Sequence, residues 1–185
     1  MSRPTRVFSR LVVAAVVAAL TIGLSAAAAG AHVTIDPDAA TKGGFQVLSF
    51  SVPNERDETS TVKLEIQLPQ NVVIPFVSVQ PKPGWTVTVT KRALDEPVEG
   101  EDGEISEVVD TVAWEGGQIG PGEFDLFLIS VGPLPKKGKQ LRFPAIQTYS
   151  DGEEVRWIET GRNPELPAPV LKLASASSGE EEDSH

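Results

Sequence analysis

Along residues 61–68 the chain alternates with a period of two: Val62, Leu64, Ile66 and Leu68 fall on one side, Thr61, Lys63, Glu65 and Gln67 on the other. Successive side chains of a β-strand leave on opposite faces, so this segment predicts a strand with one face in a core and one in water. Residues 85–90 repeat the pattern, with Trp85, Val87 and Val89 set against three threonines, directly after the turn signal Pro83-Gly84. Residues 124–131 are apolar at nearly every position, as a strand inside a packed sandwich can be. Further strands are predicted at 33–36, 45–52, 76–80, 108–114, 141–148, 155–158 and 170–173. Asp102-Gly103, Gly116-Gly117, Pro121-Gly122 and Asp151-Gly152 supply turn chemistry between several of them. No segment after residue 31 sustains a helical period. Some nine or ten short strands with this punctuation predict an all-β chain folded as an antiparallel β-sandwich.

The first 31 residues follow a different pattern. Arg3, Arg6 and Arg10 precede an apolar run from Leu11 to Leu24, and small residues continue to Ala29-Gly30-Ala31. This is the grammar of a secretory signal with an A-x-A cleavage site, and it predicts a mature chain beginning at His32. The alanine and glycine at the end of the run are too weakly apolar for a spanning helix, so no stable membrane anchor is expected after cleavage. The predicted organisation is a signal peptide over 1–31, one sandwich domain over 32–173 and a disordered acidic tail over 174–185, where four acids are consecutive. The expected location is outside the cytoplasmic membrane, whether periplasmic, in the cell envelope or secreted.

Removal of the signal takes 3 of the 16 basic residues and leaves 13 against 26 acidic ones, a net charge of −13. Such a surface repels phosphate backbones, and nucleic acid is excluded as a partner. The cysteine count of 0 removes disulfides, thiolate metal sites and cysteine nucleophiles together. Seven carboxylates lie between Asp95 and Glu107, a spacing that reads as a solvated, mobile hairpin around Asp102-Gly103. A calcium loop would need spaced Asp/Asn-Gly grammar that this stretch lacks.

Candidate chemistry rests on the 2 histidines. His185 ends the acidic tail, where it is expected to be solvated. His32 would become the first residue of the mature chain, and its α-amine and imidazole Nδ1 can then close a six-membered chelate on one metal ion. Two nitrogens so placed favour Cu²⁺ over the other first-row divalent ions. The same inventory argues against an enzyme. A copper oxygenase using this chelate needs a second histidine from the fold, a blue-copper carrier needs cysteine and two histidines, and a serine hydrolase needs a folded histidine base. The alternative to a copper-binding protein is a metal-free interaction module on the same sandwich.

Several short segments also resemble a known family. They are Ala31-His32-Val33-Thr34-Ile35-Asp36-Pro37, Phe50-Ser51-Val52-Pro53-Asn54-Glu55, Lys82-Pro83-Gly84-Trp85, Pro121-Gly122-Glu123-Phe124, and Gln147-Thr148-Tyr149-Ser150-Asp151-Gly152 with Trp157. In order and spacing they resemble the YcnI-like family of bacterial exported copper-binding domains. The resemblance implies a cupredoxin-like or immunoglobulin-like sandwich that holds Cu²⁺ in a single-histidine brace. It also implies a copper transporter or another exported copper chaperone as partner. The brace histidine carries over to His32 and a tryptophan near the metal to Trp157. An acidic ligand early in the second strand carries over to Gln46, a departure in which an uncharged amide replaces a carboxylate. Asp36, Asp151 and Glu153 remain as alternative acidic ligands.

Overall fold

The computed structural model describes residues 32–100 and 103–175, so the predicted signal peptide and nearly all of the predicted tail lie outside the described residues. Among the described residues the alternation resolves into twelve strands and no helix. Strands β1 (Thr34–Asp36), β3 (Gln46–Pro53), β8 (Phe124–Gly132) and β5 (Phe76–Val79) form one sheet in that order. A second sheet is ordered β11 (Glu154–Trp157), β10 (Ala145–Tyr149), β4 (Thr61–Gln67), β7 (Gly103–Ile119), β6 (Thr86–Gly100). A small third sheet holds β2 (Ala39–Thr41), β12 (Val170–Ala174) and β9 (Gln140–Arg142).

The core lies between the first two sheets. Leu48, Phe50 and Val52 of β3 and Phe127, Ile129 and Val131 of β8 are buried, and they meet Leu64 and Ile66 of β4 and Val112 and Trp114 of β7. Aromatic rings fix the spacing of the layers: Phe127 packs edge-on against Trp114 at 5.3 Å and against Trp85 at 5.0 Å, and Phe50 against Phe143 at 5.7 Å. The result is an all-β sandwich.

Four details differ from the sequence reading. First, β2 pairs with β12 in parallel, so the fold is not antiparallel throughout. Second, residues 141–148 do not form one strand. Pro144 has no N–H to give a ladder, and the chain divides around Phe143-Pro144 into β9 and β10, which belong to different sheets. Third, the acidic stretch forms a hairpin around residues 101–102, but its strands run well beyond the predicted 85–90 and 108–114, because β6 and β7 stay paired as far as Glu99↔Glu104 and Gly100↔Gly103. Fourth, a bulge at the start of β4 bypasses Val62, so that Thr61 is buried and Val62 is only half-buried.

Phe50→Ala should lower unfolding free energy by about 3–5 kcal/mol in urea denaturation, the range for emptying an aromatic site in a core. Val47→Ala, on the same strand but 52% exposed, should stay within about 0.5 kcal/mol. Equal effects would mean that the two faces of β3 are not divided as described.

Candidate metal centre

His32 lies just ahead of β1, whose register with β3 pairs Thr34 with Ser51, Ile35 with Phe50 and Asp36 with Ser49. Continuing that antiparallel register by two residues sets His32 beside Pro53, at the end of β3. Val33 and Ile35 are buried and His32, Thr34 and Asp36 are exposed, so the apolar parity of β1 anchors the segment and turns the histidine outward. β1 and β11 are edge strands of the two facing sheets. Trp157, the last residue of β11, is buried and meets the His32 ring edge-on, with centroids 5.6 Å apart. The indole Nε1 donates to Oε1 of Gln147 at 3.1 Å.

The loop from Asn54 to Ser60 leaves β3 at the same end. Asn54 is buried and holds the loop in shape: its Nδ2 donates to the carbonyls of Thr59 and Ile119, and its Oδ1 accepts from the Arg56 N–H. Arg56 bridges to Glu153 and lies 5.0 Å over the Tyr149 ring. Burial raises the Tyr149 hydroxyl above its usual range; the Arg56 hydrogen bond and charge oppose this, and the Glu55 carboxylate adds a smaller upward push. Glu55 is therefore close enough to be felt at Tyr149, and it stands two residues beyond the point where His32 meets β3.

The structure brings His32 and Trp157 together but does not bring Gln46 to them. Gln46 pairs with Val131 at the other end of β3, about 23 Å from Pro53 at the rise of an extended chain. Its amide Nε2 donates to the Val47 carbonyl. Of the alternative acids, Asp151 accepts from the Glu153 N–H at 3.0 Å and Glu153 holds Arg56, while Asp36 is exposed on β1 at the register position opposite Ser49. Glu55 lies two residues past Pro53, the position that the extended β1–β3 register sets beside His32, and makes an interaction of its own.

Among the described residues, no three His, Cys, Asp or Glu side chains converge as a metal site. Among those residues no helix is long and apolar enough to cross a membrane.

Fold and site together define an immunoglobulin-like sandwich with a histidine–tryptophan pair at one edge. The chain belongs to the DUF1775 family, described as a domain of unknown function, whose model matches residues 32–173. The copper-binding protein CutI of Bacillus subtilis (strain 168) is 30% identical over 153 residues, covering 81% of this chain and 66% of that protein. The chain thus spans slightly under two thirds of the length of that relative. A protein from Nocardia farcinica whose crystal structure reveals an immunoglobulin-like fold is 35% identical, with a TM-score of 0.61, over 78% of this chain and 99% of that one. These matches uphold the YcnI-like resemblance read from the sequence motifs.

Tyr149 is the protein's single tyrosine, so tyrosinate absorbance reads it directly. Its midpoint should lie above the ordinary 10.0, and Arg56→Gln should move it further up by removing the opposing charge. A group with a raised folded pKa loses its contribution to stability as pH rises, so the wild type should lose stability above about pH 10, the ordinary tyrosine value, more than Tyr149→Phe does. A midpoint at or below 10.0 would contradict this account of the cluster.

Proposed function

We propose that the mature protein begins at His32, is exported, and binds one Cu²⁺ through the His32 α-amine and imidazole in copper homeostasis or trafficking. The observation that supports this reading is the placement of His32: exposed just ahead of β1 and against Trp157, at the end of β3 from which the loop carrying Glu55 departs. The similarity to CutI, a copper-binding protein, supports it.

The donor chemistry fits. Amine and imidazole form a rigid nitrogen chelate once their protons are displaced, so binding weakens in acid. The Glu55 carboxylate supplies a charged oxygen, and the Trp157 indole covers one side. Met1 is the only methionine and cysteine is absent, so the chain from His32 onward has no sulfur. Soft sulfur ligands select Cu⁺, whereas nitrogen and oxygen suit Cu²⁺, so the site favours the oxidised ion. The protein acts as a binder without turnover, exchanging copper with a transporter or another exported copper chaperone. A metal-free interaction module is the second reading, and it draws on apolar side chains left in water, Phe45 at 62% and Phe124 at 65% exposure.

Calorimetric titration of the mature protein should give one Cu²⁺ per chain without an intense blue colour, and His32→Ala should abolish tight binding. Glu55→Gln should weaken binding about tenfold or more by removing a charged ligand, while Gln46→Glu should leave it unchanged because that side chain lies at the far end of β3. Absence of Cu²⁺ uptake would contradict the proposal and favour the interaction module; uptake indifferent to His32→Ala would contradict it by placing the ion elsewhere.

A further inference from the structure

Gln147 is fully buried, an uncommon place for an amide unless its hydrogen bonds are met. Here they are met by three separate elements. Nε2 donates to the Pro53 carbonyl at 2.9 Å and to Thr61 Oγ1 at 2.7 Å, while Oε1 accepts from Trp157 Nε1 at 3.1 Å. The orientation is dictated by chemistry: an indole N–H can only donate and a proline carbonyl can only accept, so a flipped amide would oppose both.

The three partners have a common geography. Pro53 and Thr61 are the residues on either side of the loop that carries Glu55, and Trp157 is the ring against His32. The bulge that bypasses Val62 is what buries the Thr61 side chain, giving the second Nε2 proton its acceptor. Without it, strict alternation with Leu64 and Ile66 would put Val62 in the core and Thr61 in water.

We propose that Gln147 is a positioning residue for the copper site. One amide holds the indole against His32 and pins both ends of the carboxylate loop, so the groups that meet the ion are fixed before it arrives. The inference rests on the copper-site reading of His32 above. Partners of this kind orient metal-binding groups, and their loss commonly weakens metal binding about 10- to 100-fold.

The test uses the mature protein, with Cu²⁺ affinity measured well below the melting temperature and the Cu²⁺ electron paramagnetic resonance spectrum recorded alongside. Gln147→Met keeps length and removes all three hydrogen bonds; affinity should fall about 10- to 100-fold and the spectrum should change. Phenylalanine has no N–H, so in a Trp157→Phe background the same substitution should cost less than it does alone, as for coupled residues. Thr61→Val keeps the side-chain shape and removes one acceptor; it should weaken binding by a smaller factor with near-ultraviolet circular dichroism unchanged, and it serves if Gln147→Met does not fold. A lowered melting temperature with wild-type affinity and spectrum in these variants would make Gln147 a structural residue only and overturn the proposal. A wild type that takes up no copper, or does so without His32, would overturn the copper site itself and this inference with it.

Discussion

The site depends on the antiparallel register of β1 on β3, which sets three residue pairs opposite one another. β1 is short, and the hold of this segment on the sandwich comes from Val33, just ahead of it, and Ile35 within it, which are 2% and 8% exposed. Burial of such side chains contributes about 1.5–3 kcal/mol each, enough to fix a strand end that has few hydrogen bonds of its own. Antiparallel pairing then leaves no freedom in where His32 goes: the beginning of β1 must lie at the end of β3. Chain direction thus puts the histidine beside the Asn54–Ser60 loop and across from the last residue of β11.

Around that point the polar groups are satisfied from within. Asn54 and Gln147 are buried, and each bonds to backbone or side-chain atoms of segments far apart in sequence. An unpaired amide in such surroundings would cost about 1–3 kcal/mol, so these networks are also constraints that admit one arrangement of the loop and the indole. Outside them the charges are exposed. The Arg56–Glu153 pair has both side chains largely in water, where an ion pair adds little to stability, and its consequence is the placement of Arg56 over Tyr149. The rigid part of the region is amide chemistry, and the ionic part is a solvated rim.

Period-two alternation made β4 legible and the apolar run at 124–131 made β8 legible, and with them the sandwich architecture, because burial is a local property of a strand. Local patterns do not report a strand's partner or register. Gln46 and Glu55 stand at opposite ends of the same strand, and only the pairing of β3 with β1 shows which end lies toward His32. The bulge at Thr61 was equally hidden, since Val62, Leu64 and Ile66 make a perfect alternation that the structure breaks to bring a hydroxyl to Gln147. The division of residues 141–148 did have a signal, Pro144, whose missing N–H argues against an uninterrupted central strand. His32 and Trp157 were identified as a pair by family resemblance, and composition alone would have left Trp157 as one more core aromatic.

The central claim is that a free amine at His32 is half of a metal chelate, and one added residue tests it. Placing a single alanine ahead of His32 turns the amine into an amide while keeping the imidazole, the carboxylates and the core. Calorimetric comparison of the two proteins should show Cu²⁺ affinity falling sharply on extension, because the chelate loses one of its two arms, while the melting temperature of the metal-free protein stays the same, since a terminal residue contributes little to the core. Undiminished Cu²⁺ binding by the extended protein would show that the ion is held elsewhere and would contradict the account.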